Sequence, residues 1–317
     1  MRELSAHFRP YEWAISTAEA AQIAGVRPED VLRFDANTAP GPPRAARPAA
    51  VSTALERVHG YPHGGYPELV AAIAEYAGAE PPNIILGAGA DDLILLAART
   101  FAGPGDRVAI VDEPTYPLYR VAAWLAGAEV GDADPAVTFC CRPHNPTGAL
   151  AEIPAARPLV VDEAYFEYCG ETAAFLEGVV AIRTLSKAFA LAGARVGYAL
   201  AELETAGELN ARQAPAPIST LSAAVALAVL AEPPDVGPLL EERERLAARL
   251  RELGLEPLPS ATNFLYVPFD RARELSEVLL REGMVVRAYP DAIRVTVLDQ
   301  PSNERLVAAL GGFLERS

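Results

Sequence analysis

One lysine, Lys187, stands among twenty-seven basic residues; the rest are arginines. Arginine keeps its proton in proteins, whereas a lysine amine can lose its charge through burial or a neighbouring cation. The bare amine is then a base and a nucleophile toward carbonyls. A single lysine in such a chain has two readings: a task arginine cannot perform, or a surface residue that lingered. The neighbours favour chemistry. Residues 179–184 read as a short buried strand, Thr184 and Ser186 place hydroxyls at its end, and Arg195 follows eight positions after the lysine. Two hydroxyls and a guanidinium beside an activated amine suit a phosphate tethered near a carbonyl. The alternative is an ordinary strand-to-loop turn.

Other candidates recur at comparable places. Strand, small-residue turn and helix start follow one another at 83–86, Gly87-Ala88-Gly89-Ala90 and Asp91, a local pattern that cradles anions on free backbone N–H groups. Tyr116 follows the 107–111 strand and suits a planar ligand or an ordinary loop contact. Asn145 follows the 137–141 strand, and Asp162 and Tyr165 end the 159–165 run. Ligands of open α/β sheets bind beyond the carboxyl ends of strands, where each of these residues falls. Arg294 lies inside an apolar strand, Ile293-Arg294-Val295-Thr296-Val297, so it answers either a substrate anion or an internal carboxylate. Asn37 serves as a turn residue or faces a pocket. Tyr61 sits in an aromatic, glycine-rich loop, where a contact role exceeds a packing role.

The elements that position these residues form an α/β pattern from residue 83 onward. Helices are expected at 16–25, 49–58, 67–77, 91–101, 118–126, 214–230 and 236–253. A smaller α+β unit follows, with strands at 261–267, 284–287 and 292–297 and helices at 271–282 and 303–314. The expected domains are an N-terminal arm and helix (1–40, packing with the small domain), a large domain (41–232) and a small C-terminal domain (233–317).

Composition narrows the function. The chain has 317 residues, 51% hydrophobic and 22% charged, with net charge −15, which disfavours nucleic acid and anionic membrane surfaces as partners. The amino terminus lacks a signal-peptide pattern and no apolar run is long enough to span a bilayer, so a cytoplasmic location is expected. Three cysteines form neither a disulfide framework nor a zinc spacing. His59 and His63 are four apart, but glycine and proline between and around them break any helix, and no metal site is expected.

Three segments in order, Asn145-Pro146-Thr147-Gly148, Asp162-Glu163-Ala164-Tyr165 and Ser186-Lys187-Ala188-Phe189 with Arg195, resemble the class I/II pyridoxal-phosphate aminotransferases. Phe34-Asp35-Ala36-Asn37, Tyr61-Pro62, 87–94 and Pro114-Thr115-Tyr116 resemble the histidinol-phosphate aminotransferase branch. The resemblance implies a fold-type I transferase with a mostly parallel central sheet flanked by helices. It implies that Lys187 is the lysine joined to pyridoxal 5'-phosphate and the carrier of a proton. Asp162 would pair with the pyridinium nitrogen, Asn145 and Tyr165 with the ring's phenolic oxygen, and Tyr116 would stack on the ring. Gly89, Ala90, Asp91, Ser186 and Arg195, with Thr184 as an addition, would hold the phosphate. Tyr61 would reach that phosphate from a second subunit, implying a homodimer, while Arg294 and Asn37 would face the substrate.

The chain also departs from the family's pattern. Seventeen positions from Asn145 to Asp162, and sixteen from Glu129 to Asn145, leave little room for the usual crossover helices. Thr38 stands for an acidic residue and Ala190 for a glycine. The implied reaction is transamination between a small or aromatic amino donor, such as histidinol phosphate, and a 2-oxo acid. The alternatives are a decarboxylase of a phosphorylated amino acid, another amino-acid-modifying enzyme with the same cofactor, or a non-catalytic ligand-binding relic.

Overall fold

The apolar runs after residue 83 that alternate with helical patterns come together as one sheet. The computed structural model describes residues 8, 9, 11, 14–43, 48–62 and 64–316. Two compact units emerge. One comprises 1–11, 41–144 and 151–234, and the other 12–40, 145–150 and 235–317.

Among the described residues of the first unit, seven strands lie in the order Ile84–Gly87, Gly197–Leu200, Val179–Thr184, Leu159–Asp162, Val137–Cys141, Arg107–Ile110 and Glu129–Val130. All pairings are parallel except those of Gly197–Leu200, which runs against both neighbours. This is the mostly parallel sheet expected. Its inner strands, including Leu159–Asp162 and Val179–Thr184, are buried along their full length, as a sheet covered on both faces requires. Val160, Val180, Ile182 and Phe139 pack with Leu93, Ile94 and Leu96 of the Ala90–Phe101 helix and with Tyr119 and Ala122 of Leu118–Ala126. Each fully buried large aliphatic side chain contributes roughly 1.5–3 kcal/mol relative to exposure.

The trimmed connections are as short as the sequence implies. No helix forms at 131–136 or 142–158. Instead, the Arg157 guanidinium donates to the carbonyls of Glu177, Pro154 and Ala156, and that of Arg142 to the Ala151 carbonyl and the Glu171 carboxylate.

One expected element is shorter. The helix read as 214–230 is Thr220–Leu230 alone, because Pro215 and Pro217 interrupt its beginning and Ser219 caps the shorter helix through the Ser222 N–H. A helix that the sequence reading did not include, Leu203–Arg212, precedes it.

The second unit pairs Ala292–Thr296 with Phe264–Pro268 and, through a tight hairpin, with Arg287–Ala288, all antiparallel. Phe34 joins its core with Leu246, Leu250, Val295 and Leu310. The strand read as 284–287 is two pieces, of which Met284–Val285 pairs in parallel with Leu32–Arg33. Among the described residues, no helix is long and apolar enough to cross a membrane.

Candidate active site

Parallel register brings strand ends together: Cys141 pairs with Asp162, and Asp162 with Ile182. Asp162 therefore ends its strand in the middle of the sheet, 4% exposed, where a carboxylate is costly without compensation. Burial pushes its pKa up to about 6. Hydrogen bonds from the Tyr119 hydroxyl and the Ala164 N–H pull the other way, as does the Lys187 charge, while Asp91 adds repulsion. Tyr119 Oη donates to Asp162 Oδ2 at 2.7 Å and the Ala164 N–H to Oδ1 at 3.0 Å.

Lys187 lies in the loop after Val179–Thr184, half-buried, its Nζ 5.8 Å from the centre of the Tyr165 ring. Tyr165 is buried at the start of the short Phe166–Cys169 helix. Thr184 Oγ1 contacts Ser186 Oγ at 2.8 Å and donates to the Val196 carbonyl at 3.2 Å, so the threonine orients the serine. Arg195 Nη1 approaches Ser186 Oγ at 3.4 Å, and its Nη2 meets Asp91 Oδ2 at 2.8 Å. Asp91 Oδ1 in turn accepts from the Tyr116 hydroxyl at 3.0 Å. Tyr116 packs edge-on against Tyr119 and Tyr11.

The turn between Ile84–Gly87 and Ala90–Phe101 is a cradle. Gly89 has φ +84, and a Cβ there would fall 2.5 Å from Arg195 Nη2. A Cβ on Gly197, in the neighbouring strand, would fall 2.6 Å from the Gly89 carbonyl carbon and 2.8 Å from the Ala90 nitrogen. Glycine at both positions lets backbone, guanidinium and helix start converge. Unsatisfied N–H groups and the positive end of a twelve-residue helix favour an anion there.

The first unit thus brings together Gly89, Ala90, Asp91, Tyr116, Asp162, Tyr165, Thr184, Ser186, Lys187 and Arg195. The second unit holds Asn145, Arg294 and Asn37. Arg294 Nη1 donates to Asn145 Oδ1 at 2.5 Å and Nη2 to the Asp35 carbonyl at 2.7 Å. Among the described residues Arg294 has no ion pair, and its buried Nε has no partner. Asn37 is buried at φ +52, bonded through its N–H to Thr296 and through its carbonyl to Asn263. Tyr61 is 83% exposed. His59 Nδ1 contacts the Glu56 carbonyl, and His63 lies outside the described residues.

Sequence reasoning missed two buried sets. One is Tyr119, whose spacing three residues beyond Tyr116 on a helix start was the available signal. The other is Arg183, read as part of an apolar strand. It pairs with Glu163 at 2.9 Å, both fully buried, while Thr172 and the Ala173 N–H donate to the same carboxylate. Glu167, alongside, accepts from Tyr76, and burial pushes its pKa up to about 7.

Comparisons with known proteins agree with this fold. The family model for aminotransferases of class I and II matches residues 29–134 and 131–310. The chain is 30% identical to a histidinol-phosphate aminotransferase of Moorella thermoacetica, with 99% of this chain and 92% of the relative covered. It is 35% identical to one of Thermoanaerobacter pseudethanolicus, with 81% and 85% covered. The solved histidinol-phosphate aminotransferase of Sinorhizobium meliloti, in complex with pyridoxal-5'-phosphate, superposes with a TM-score of 0.85. The match has 24% identity and covers 98% of each chain.

Proposed function

From a chain that belongs to the class I and II aminotransferases, we propose an enzyme that moves the amino group of a phosphate-bearing amine, histidinol phosphate foremost, to a 2-oxo acid. Its cofactor is pyridoxal 5'-phosphate. The observation that carries this reading is the buried carboxyl of Asp162 within the field of the chain's one lysine. The residues present fit the cofactor. The absence of a Cβ at Gly89 and Gly197 lets the Arg195 guanidinium and the start of the Ala90–Phe101 helix converge, an arrangement that suits a phosphate, and a ring cation would offset the cost of burying an ionised Asp162.

Bound there, pyridoxal phosphate supplies an aldehyde for amine exchange and a ring that draws electrons from the substrate's Cα. The chain's own residues do the rest. Gly89, Ala90 and Asp91 would present the helix start to the phosphate, and Ser186 and Arg195 would bind it, with Thr184 orienting Ser186. Asp162 would accept a hydrogen bond from the protonated ring nitrogen. By the family resemblance, Asn145 and Tyr165 would serve the phenolic oxygen, and Tyr116 the ring face. Lys187 Nζ would be the nucleophile toward the aldehyde and, once free, the base that moves the substrate's Cα proton. Arg294, whose Nε is buried without a partner, takes the substrate's anion, with Asn37 on the same side.

A homodimer belongs to the same reading. Leu55, Val58 and Tyr61 are 53%, 54% and 83% exposed on one short stretch, an apolar surface that a second copy would cover. We also take 1–40, 41–232 and 233–317 as arm, large domain and small domain, and the cytoplasm as the compartment, in keeping with three free cysteines.

The purified protein is expected to take up pyridoxal phosphate with a visible absorption band, and borohydride is expected to fix the label on Lys187. Among a panel of amines, histidinol phosphate should bleach the band with the highest kcat/KM and yield a keto product. Failure to take up cofactor would overturn the reading, as would release of carbon dioxide from a phosphorylated amino acid in the panel in place of a keto product.

A further inference from the structure

Tyr119 is fully buried and lies nearly parallel to the Phe139 ring, at 5.5 Å and 22°. A phenylalanine would satisfy that packing. The hydroxyl has a separate purpose, since it donates to Asp162 Oδ2 at 2.7 Å. The other carboxylate oxygen accepts from the Ala164 N–H at 3.0 Å, so one donor on each oxygen fixes the plane of the carboxylate. We propose that Tyr119 is a positioning residue for Asp162, holding the carboxylate oriented and ionised to receive a cationic ring nitrogen.

This inference rests on the aminotransferase reading. A carboxylate in the middle of a sheet prefers to be neutral, and a neutral acid would leave the ring nitrogen without a counter-charge. The Tyr119 hydroxyl is itself held protonated, its pKa raised by burial and by Asp162, so it remains a donor. The other titratable groups whose charges bear on this pair are Asp91, Tyr116, Cys140, Cys141 and Lys187. Of these, Lys187 favours ionised Asp162 and Asp91 opposes it.

The test uses Tyr119→Phe in the cofactor-free protein, with the Asp162 carboxyl titration followed by infrared or carbon NMR. Losing a hydrogen bond to a charged group shifts the midpoint upward by about one to two pH units. The far-ultraviolet dichroism and the denaturant slope are expected to stay unchanged, as for an intact fold. Tyr119→Phe should also weaken pyridoxal phosphate binding about tenfold near neutral pH, measured by equilibrium dialysis. An unmoved midpoint overturns the proposal and leaves Tyr119 as core packing. Should the variant fail to fold, the Tyr119 hydroxyl proton resonance in the unaltered protein must move as Asp162 titrates, and an invariant resonance overturns it equally. Failure of the aminotransferase reading has a different signature: Asp162→Asn would leave cofactor affinity unchanged whatever Tyr119 does.

Discussion

Ala190 adopts φ +57 in the turn after Lys187, with its N–H on the Lys187 carbonyl at 3.1 Å. This is the position where the family resemblance implies glycine, and the backbone shows why. An L-residue in the left-handed region costs about 1–2 kcal/mol, partly offset by the roughly 0.5–1 kcal/mol that glycine loses in conformational freedom. Ala190→Gly is therefore expected to raise stability by up to about 1 kcal/mol, read as a higher denaturant midpoint at constant slope. A lower midpoint would show that the turn carries no such strain. At this scale Lys187 was legible because it stands out from the composition, and Asp162 because it closes an apolar run. Tyr119 was not, because its role comes from a contact with a residue forty-three positions away.

The anion cradle belongs to elements rather than residues. Its glycine turn was readable locally, since a strand, small residues and an acidic helix start follow one another in sequence. Its other wall was not. Gly197 enters only because Gly197–Leu200 pairs antiparallel with Ile84–Gly87, setting Gly197 beside Gly87. A Cβ at Gly197 would meet backbone atoms at 2.6 and 2.8 Å, which cannot swing aside as a flexible side chain would. Gly197→Ala is expected to cost about 1–3 kcal/mol of stability and to weaken retention of pyridoxal phosphate, both measured on the purified protein. Wild-type values for both would show that the turn yields without loss. The same dependence on distant partners explains the helices. Leu118–Ala126 was read correctly because Gly127, at φ +87, marks its end locally. Leu203–Arg212 was missed because its sequence is largely polar and only Ala206 and Leu209 are buried.

Over the molecule as a whole, the buried carboxyls set how stability responds to acid. Asp162 and Glu167 rise from ordinary values of 3.8 and 4.5 to about 6 and about 7 in the folded chain. Folding therefore favours their protonated forms. Their stabilising contribution is complete below about pH 4 and is lost as pH climbs through 6 and 7. His144 works in the opposite sense, since burial lowers its proton affinity from 6.5 and its contribution is lost on acidification. Comparing variants separates these effects. Relative to wild type, cofactor-free Asp162→Asn should gain stability as pH rises from about 4 to 7, followed by melting temperature. Parallel curves would mean that Asp162 titrates as an exposed acid does. The α/β class was legible at this scale from alternating elements, and the fold-type I architecture from the family resemblance. The second unit's inclusion of 145–150 was not, because nothing in the local sequence marks a six-residue excursion between units.

Lys187 has one consequence that reaches beyond catalysis. With no other lysine in the chain, an acylating or reductively alkylating probe has a single side-chain target, the α-amine aside. Label stoichiometry then reports directly whether that loop is open to reagent, without the background signal that scattered surface lysines impose.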